Sequence, residues 1–310
     1  MPKILFIRGG AIGDFILTLP AIQLVREGLP DCEIEILGYP AIAELAVSAG
    51  LAHRVRSIEH AALAPFFAPE SELDEEMCAY LSEFNVVFSY LYDPDQIFQN
   101  NLVRAGVKTL FCGPYRMDES EPHQSAAVQL AKPQESLALY LDEPWVELSY
   151  KKGETNFQSK SNPLIAVHPG SGSPTKYWSH QSWSKVITEL HQKHSGAEFL
   201  ITSGEAEHSA ISDFLQLIDA GGVRYRHLQD LPLHELGIIL QQADLFLGHD
   251  SGISHLAASV GTQGLILFGP TNPAVWAPPH PAFDFVVSSS GNLSGISVSQ
   301  VMERIGERGF

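Results

Sequence analysis

"KILFIRGGAIGDFILTLPA", residues 3–21, runs from a strand-like apolar stretch through a glycine-rich turn into a helical pattern that carries Asp14 in its first turn. A strand that delivers a glycine turn to a helix N-terminus is the usual opening of a nucleotide-binding α/β fold. The details tell against two common versions of it. The dinucleotide fingerprint G-x-G-x-x-G has Arg8 where its first glycine belongs, so only Gly10 and Gly13 fit the remaining spacing. The second strand-like run, "EIEILGYP", ends in Gly38 and Tyr39 and not in an acid for ribose hydroxyls, which disfavours a nicotinamide cofactor. A P-loop is excluded because no G-K-[ST] follows the turn. What remains is a tight turn whose glycines, Gly10 and Gly13, let the backbone approach a ligand. Asp14 keeps two roles open: a carboxylate interacting with the helix dipole, or a general base at the floor of a cleft.

Outward from this stretch, short apolar runs alternate with helical patterns. "KILFIR", "EIEIL", "NVVFSYL" and "VKTLF" predict strands; "GDFILTLPAIQLVREG", "AIAELAVSAG" and "PDQIFQNNLVRAG" predict helices between them. From about residue 140 to 163 the chain turns polar and irregular, which predicts an interdomain linker. The alternation then restarts with the strands "PLIAVHPG", "EFLITSG", "RYRHL", "DLFLGHD" and "GLILFG", separated by helices such as "SWSKVITELHQKH" and "PLHELGIILQQA". The expectation is an α/β chain of two doubly wound, Rossmann-like domains, 1–150 and 151–310, facing a cleft at the carboxyl ends of their sheets. The last helix is a candidate to pack back on the first domain.

Composition narrows the function classes. The 310 residues are 45% hydrophobic and 18% charged, as in a globular chain with room for two cores. Three scattered cysteines, Cys32, Cys78 and Cys112, form no C-x-x-C and suggest a reducing compartment. The start "MPKILFIR" has no leader-like pattern, and no apolar run is long enough to span a bilayer. The chain is therefore expected in the cytoplasm, with at most peripheral contact with the inner membrane. A formal charge of −17 argues against general binding to nucleic acid, so any anionic ligand must be held by a few placed groups.

The second half supplies such groups. "AVHPGSGSPTKYWSHQSW" leaves a strand into a Gly/Ser-rich loop with Ser171, Gly172 and one lysine, Lys176, offering N–H groups, hydroxyls and a charge to phosphate oxygens. "ITSGEAEHS" places Glu205 at the next strand end, able to accept ribose hydroxyls or simply to cap. "FLGHDSGISHLAASVG" sets Asp250, Ser251 and Gly252 at a helix N-terminus with His255 one turn in, a seat for a diphosphate. Each taken alone is equally a solvated lysine or an ordinary Asp/Ser cap.

Together they are not ordinary. "GAIGDFILTLPA", "HPGSGSPTKYW", "SGEAEH", "GHDSGISHLAASVGT" and "LFGPTNPAVWAP" occur in the order seen in glycosyltransferase family 9, the lipopolysaccharide heptosyltransferases and their relatives, and the resemblance spans nearly the whole chain. It implies a GT-B fold whose first domain binds the acceptor and whose second binds a nucleotide sugar, typically ADP-heptose. By position, Asp14 matches the family's catalytic base, Lys176 its diphosphate-binding lysine, Glu205 its ribose-binding acid, and Asp250, Ser251, Gly252 and His255 its donor-binding turn. Thr271 and Pro273 match a loop near the donor. One departure is His249, where relatives more often carry asparagine.

The implied reaction is inverting transfer of a heptose or related sugar to a lipopolysaccharide-core or related glycan, with no metal and no cofactor beyond the nucleotide-diphosphate sugar. The one D-x-D, Asp93 and Asp95, is expected to cap a helix that has Pro94 at its first position. A nucleotide-sugar epimerase or phosphorylase on the same fold, and a catalytically idle sugar-nucleotide binder, are the competing expectations. Around the acceptor the first domain offers only Arg116, His123 and Lys132 as cations in "CGPYRMDESEPHQSAAVQLAKP". That is sparse for an anionic glycan.

Overall fold

The computed structural model describes residues 1–150 and 162–310. They divide into two compact units, Met1–Val146 and Glu147–Phe310. Residues 151–161 of the expected linker lie outside the described residues.

The first unit contains, in chain order, β1 (Lys3–Arg8), α1 (Ile12–Ile16), α2 (Leu19–Gly28), β2 (Glu33–Gly38), α3 (Pro40–Ser48), β3 (Arg54–Ser57), α4 (Glu75–Ser82), β4 (Val86–Ser89), α5 (Ile97–Arg104), β5 (Leu110–Cys112) and α6 (Ala126–Ala131). The five strands form one parallel sheet in the order β3-β2-β1-β4-β5. β1 is central and buried on both faces, which is why its sequence is a continuous apolar run. Phe6, Phe88 and Phe111 lie in register across β1, β4 and β5, with ring centroids 5.0 and 5.5 Å apart.

Two local outcomes differ from expectation. The single helix expected over "GDFILTLPAIQLVREG" breaks into α1 and α2, because Pro20 has no N–H to give to the Ile16 carbonyl; the Thr18 hydroxyl meanwhile donates to the Asp14 carbonyl at 2.8 Å. α5 begins at Ile97, so Pro94 is not its first residue; Asp93 still caps it, accepting from the Phe98 and Gln99 amides at 3.1 and 2.8 Å.

The second unit contains β6 (Leu164–His168), α7 (His180–Lys193), β7 (Glu198–Ser203), α8 (Ile211–Ala220), β8 (Tyr225–Gln229), α9 (Leu233–Leu240), β9 (Leu245–His249), α10 (Gly252–Ser259), β10 (Gly264–Phe268), α11 (Pro273–Trp276), β11 (Phe283–Val287) and α12 (Val298–Glu307). Its sheet is also parallel, in the order β11-β10-β9-β6-β7-β8. In each unit the strand order reverses at one place, between β1 and β4 and between β6 and β9, and in such sheets ligands bind beyond the carboxyl ends of the strands at that point. The terminal helix α12 packs on α7 and β11 within the second unit, burying Val301 and Ile305. Among the described residues no helix is long and apolar enough to cross a membrane.

Tyr90, just beyond β4, ties the first sheet to its last helix. Its buried hydroxyl donates to the Leu130 carbonyl and accepts from Gln134 Nε2, both at 2.9 Å. Replacing Tyr90 by Phe keeps the ring and removes both bonds in a site closed to water, which should cost about 1–3 kcal/mol. The check is a lower urea midpoint for Tyr90→Phe with an unchanged m value; an unchanged midpoint would show that the two bonds add nothing.

Candidate functional site

In the first unit the glycine turn after β1 carries the carboxylate of Asp14. Gly10 has φ +97°, and a Cβ there would come 2.9 Å from Asp14 Oδ2, so the turn closes on the carboxylate only with glycine. Asp14 is the third residue of α1, and its Oδ2 accepts from the Ala11 amide at 3.0 Å. The capping role is thus realised, while the carboxylate stays 38% exposed and open to a ligand. Gly13 lies within α1 beside it.

Arg8, which in the sequence only breaks the fingerprint, is the group that holds this turn. Its guanidinium is buried; Nη2 donates to the Asp14 carbonyl at 3.2 Å and lies 3.6 Å from Asp14 Oδ1, and Nη1 donates to the Tyr90 carbonyl at 3.3 Å. Burial pulls the Arg8 pKa down, and the charge of Asp14 opposes that pull.

In the second unit seven of the expected residues come together. Asp250, just past β9, receives Lys176 Nζ and Thr271 Oγ1 on the same carboxylate oxygen, each at 2.6 Å. Its backbone carbonyl accepts from Ser171 Oγ at 3.2 Å. Ser251 caps α10, accepting from the Ser254 amide at 3.4 Å. Gly252 is the first residue of α10, and His255 is buried one turn along it. Three loops, those after β6, β9 and β10, are thereby bound at the carboxyl end of the sheet, next to a helix N-terminus. Such a place suits an anion.

Two expected residues stand apart. Gly172 is exposed on its loop, and Glu205 is exposed at the start of a short 3₁₀ turn. The acid that does reach the Gly/Ser-rich loop is Glu207, two residues on. Its Oε2 accepts from the Gly204 amide at 2.8 Å, and Oε1 lies so close to Gly170 that any Cβ there would overlap it. Burial raises the Glu207 pKa. Nothing in "SGEAEH" distinguishes the two acids, since which one turns inward depends on a glycine 37 residues earlier in the chain. Among the described residues no group of three or more His, Cys, Asp or Glu side chains is arranged to hold a metal ion.

Two buried histidines flank this loop. His168 Nδ1 lies 3.1 Å from the Thr202 carbonyl and 3.0 Å from its hydroxyl. Burial pushes its pKa down to about 4 and that of His249 down to about 3. Unfolded, both rings titrate near the ordinary value of about 6.5. Below that pH the unfolded chain binds protons that the folded chain refuses, so each ring withdraws up to ~1.4 kcal/mol of stability per pH unit as pH falls towards its folded value. Urea midpoints should fall between pH 6.5 and 4.5, and His168→Gln should make the fall shallower. Equal slopes for both proteins would mean that His168 takes up its proton without unfolding.

The family model described as glycosyltransferase family 9 (heptosyltransferase) matches residues 110–302. The chain is 23% identical over 297 residues to lipopolysaccharide heptosyltransferase 3 of Escherichia coli, covering 86% of this chain and 83% of that protein. Among solved structures it is similar to E. coli ADP-heptose LPS heptosyltransferase II, with a TM-score of 0.77, 17% identity and 98% of each chain covered. E. coli heptosyltransferase WaaC with ADP gives a TM-score of 0.72 at 16% identity, over 98% of this chain and 99% of that one. With both sheets, their strand orders and the family match in agreement, the chain belongs to glycosyltransferase family 9 and is a glycosyltransferase of the GT-B fold.

Proposed function

We propose that this enzyme transfers a heptose or closely related sugar from an ADP-linked donor to a lipopolysaccharide-core or related glycan, with inversion at the anomeric carbon. The observation that carries the donor half is the convergence of Ser171, Lys176 and Thr271 on Asp250 beside the N-terminus of α10. Similar proteins are named as lipopolysaccharide heptosyltransferases and as an ADP-heptose transferase, one of them with ADP bound, which supports the substrate classes. The second unit is read as the donor domain and the first as the acceptor domain, in a protein working at the cytoplasmic side of the membrane.

In this reaction the Asp14 carboxylate takes the proton of the acceptor hydroxyl as that oxygen bonds to the anomeric carbon. The bond from that carbon to the diphosphate oxygen breaks on the opposite side, and the nucleoside diphosphate leaves with the electron pair. Charge gathers on the leaving group, so Lys176 and the amides at the start of α10 lower the barrier by binding it more strongly in the transition state than before. Arg8 keeps the Asp14 side chain in one place and balances its charge. Glu207, not the exposed Glu205, is the acid best placed at the donor loop. The reaction so written needs no metal and no further cofactor.

Lys176→Ala removes a charge-assisted contact, and by calorimetry its affinity for ADP should fall roughly 10- to 150-fold, the equivalent of about 1.5–3 kcal/mol. An unaltered ADP affinity would make Lys176 a surface partner of Asp250 and nothing more. Asp14→Asn keeps the cap and removes the base, so transfer from ADP-heptose should slow by roughly 10²–10⁴-fold while ADP affinity holds, with a lower thermal midpoint because Arg8 loses its counter-charge. Near-normal turnover by that variant would exclude Asp14 as the base.

A further inference from the structure

His249 is the last residue of β9 and has no exposed surface. A histidine in such a place is often only a core filler, but here both ring nitrogens are in use. Nε2 receives two donors, the Trp178 backbone amide and the Trp183 indole N–H, each at 3.0 Å. Nδ1 lies 3.2 Å from the Gly170 carbonyl. Two N–H groups aimed at one nitrogen require a lone pair there, and a carbonyl facing the other requires a proton. The ring is therefore neutral, protonated on Nδ1, and fully occupied.

The position of the partners gives the ring its significance. Gly170 opens the loop that follows β6 and Trp178 closes it; Ser171 and Lys176 lie between them. The Trp183 ring, on α7, packs on His249 with centroids 5.3 Å apart and on Trp178 at 5.0 Å. Trp178 is itself anchored, its indole donating to the Ile296 carbonyl at 3.0 Å. Next in sequence to His249 is Asp250, the carboxylate that Lys176 must reach. One imidazole thus sets the distance between the two ends of the loop and the strand end on which the ion pair is built.

We infer that His249 is a positioning residue for the donor: it fixes the loop of residues 170–178 so that Lys176 and Ser171 are held at Asp250 before the diphosphate arrives. This rests on the reading of that loop as the donor-phosphate site. An apolar ring of the same size would fill the core equally well and would leave the Gly170 carbonyl and two N–H groups without partners.

The test is a double-mutant cycle on ADP affinity, measured by calorimetry with His249→Phe, Lys176→Ala and the two combined. His249→Phe should weaken ADP about tenfold or more, and the combined variant should lose little beyond Lys176→Ala alone, because the histidine acts through the loop that carries the lysine. Wild-type ADP affinity in a folded His249→Phe, or losses that add in full, would overturn the inference and reduce the ring to packing. If His249→Phe does not fold, His249→Asn takes its place in the cycle, with a loss of about threefold or more expected and the same non-additivity; an unchanged affinity again overturns it. Unchanged ADP affinity in Lys176→Ala would instead remove the donor-site reading and the inference with it.

Discussion

The carboxylate of Asp250 joins three segments that are far apart in the chain. Lys176 comes from the loop after β6 and Thr271 from the loop after β10, and both meet the same oxygen at 2.6 Å at the end of β9. With only 9% of its side chain exposed, the aspartate has lost most of its contact with water, and the lysine at 2.6 Å offsets that loss. The pair therefore does more than cross-link loops. It holds a cation beside the first turn of α10, where the helix dipole already favours negative charge. A diphosphate entering this place would share the lysine with Asp250, so its affinity depends on the amides and on Ser171 as well as on the lysine.

The first unit reaches a comparable arrangement by other means. Arg8 stands where a dinucleotide-binding turn has its first glycine, and a long buried side chain there closes off the approach that the glycine would have opened. The same guanidinium holds the Asp14 carbonyl and lies against its carboxylate. The feature that argues against a nicotinamide cofactor is thus the feature that orders the proposed base. Both candidate sites stand where the strand order of their sheet reverses.

How much of this was legible in the sequence depended on burial and on distance along the chain. β1, β6, β9 and β10 are buried on both faces and read as unbroken apolar runs. β3 and β11, "RVRS" and "FDFVV", are edge strands with part of their surface open and are absent from the sequence reading, whereas β5 and β8, the other two edge strands and no less open, are legible in "VKTLF" and "RYRHL". The six-residue helix α6 has too few turns for a periodicity to stand out. Lys176 and Asp250 stand out locally, as a lysine in a Gly/Ser-rich loop and an acid at a helix N-terminus, and Thr271 only through the order of motifs; that the three meet is hidden in spacings of 74 and 21 residues until β6, β9 and β10 are laid side by side. His249 was visible as a departure, but its three partners lie 66 to 79 residues away, and only the folded sheet shows what it does.

The central claim is that the second unit's loops after β6 and β9 hold the nucleoside diphosphate. Hydrogen–deuterium exchange with and without ADP addresses it at the level of single segments. The account predicts slower amide exchange on binding at residues 170–178 and 251–255. Bound ADP that leaves both segments exchanging as in the free protein would contradict it.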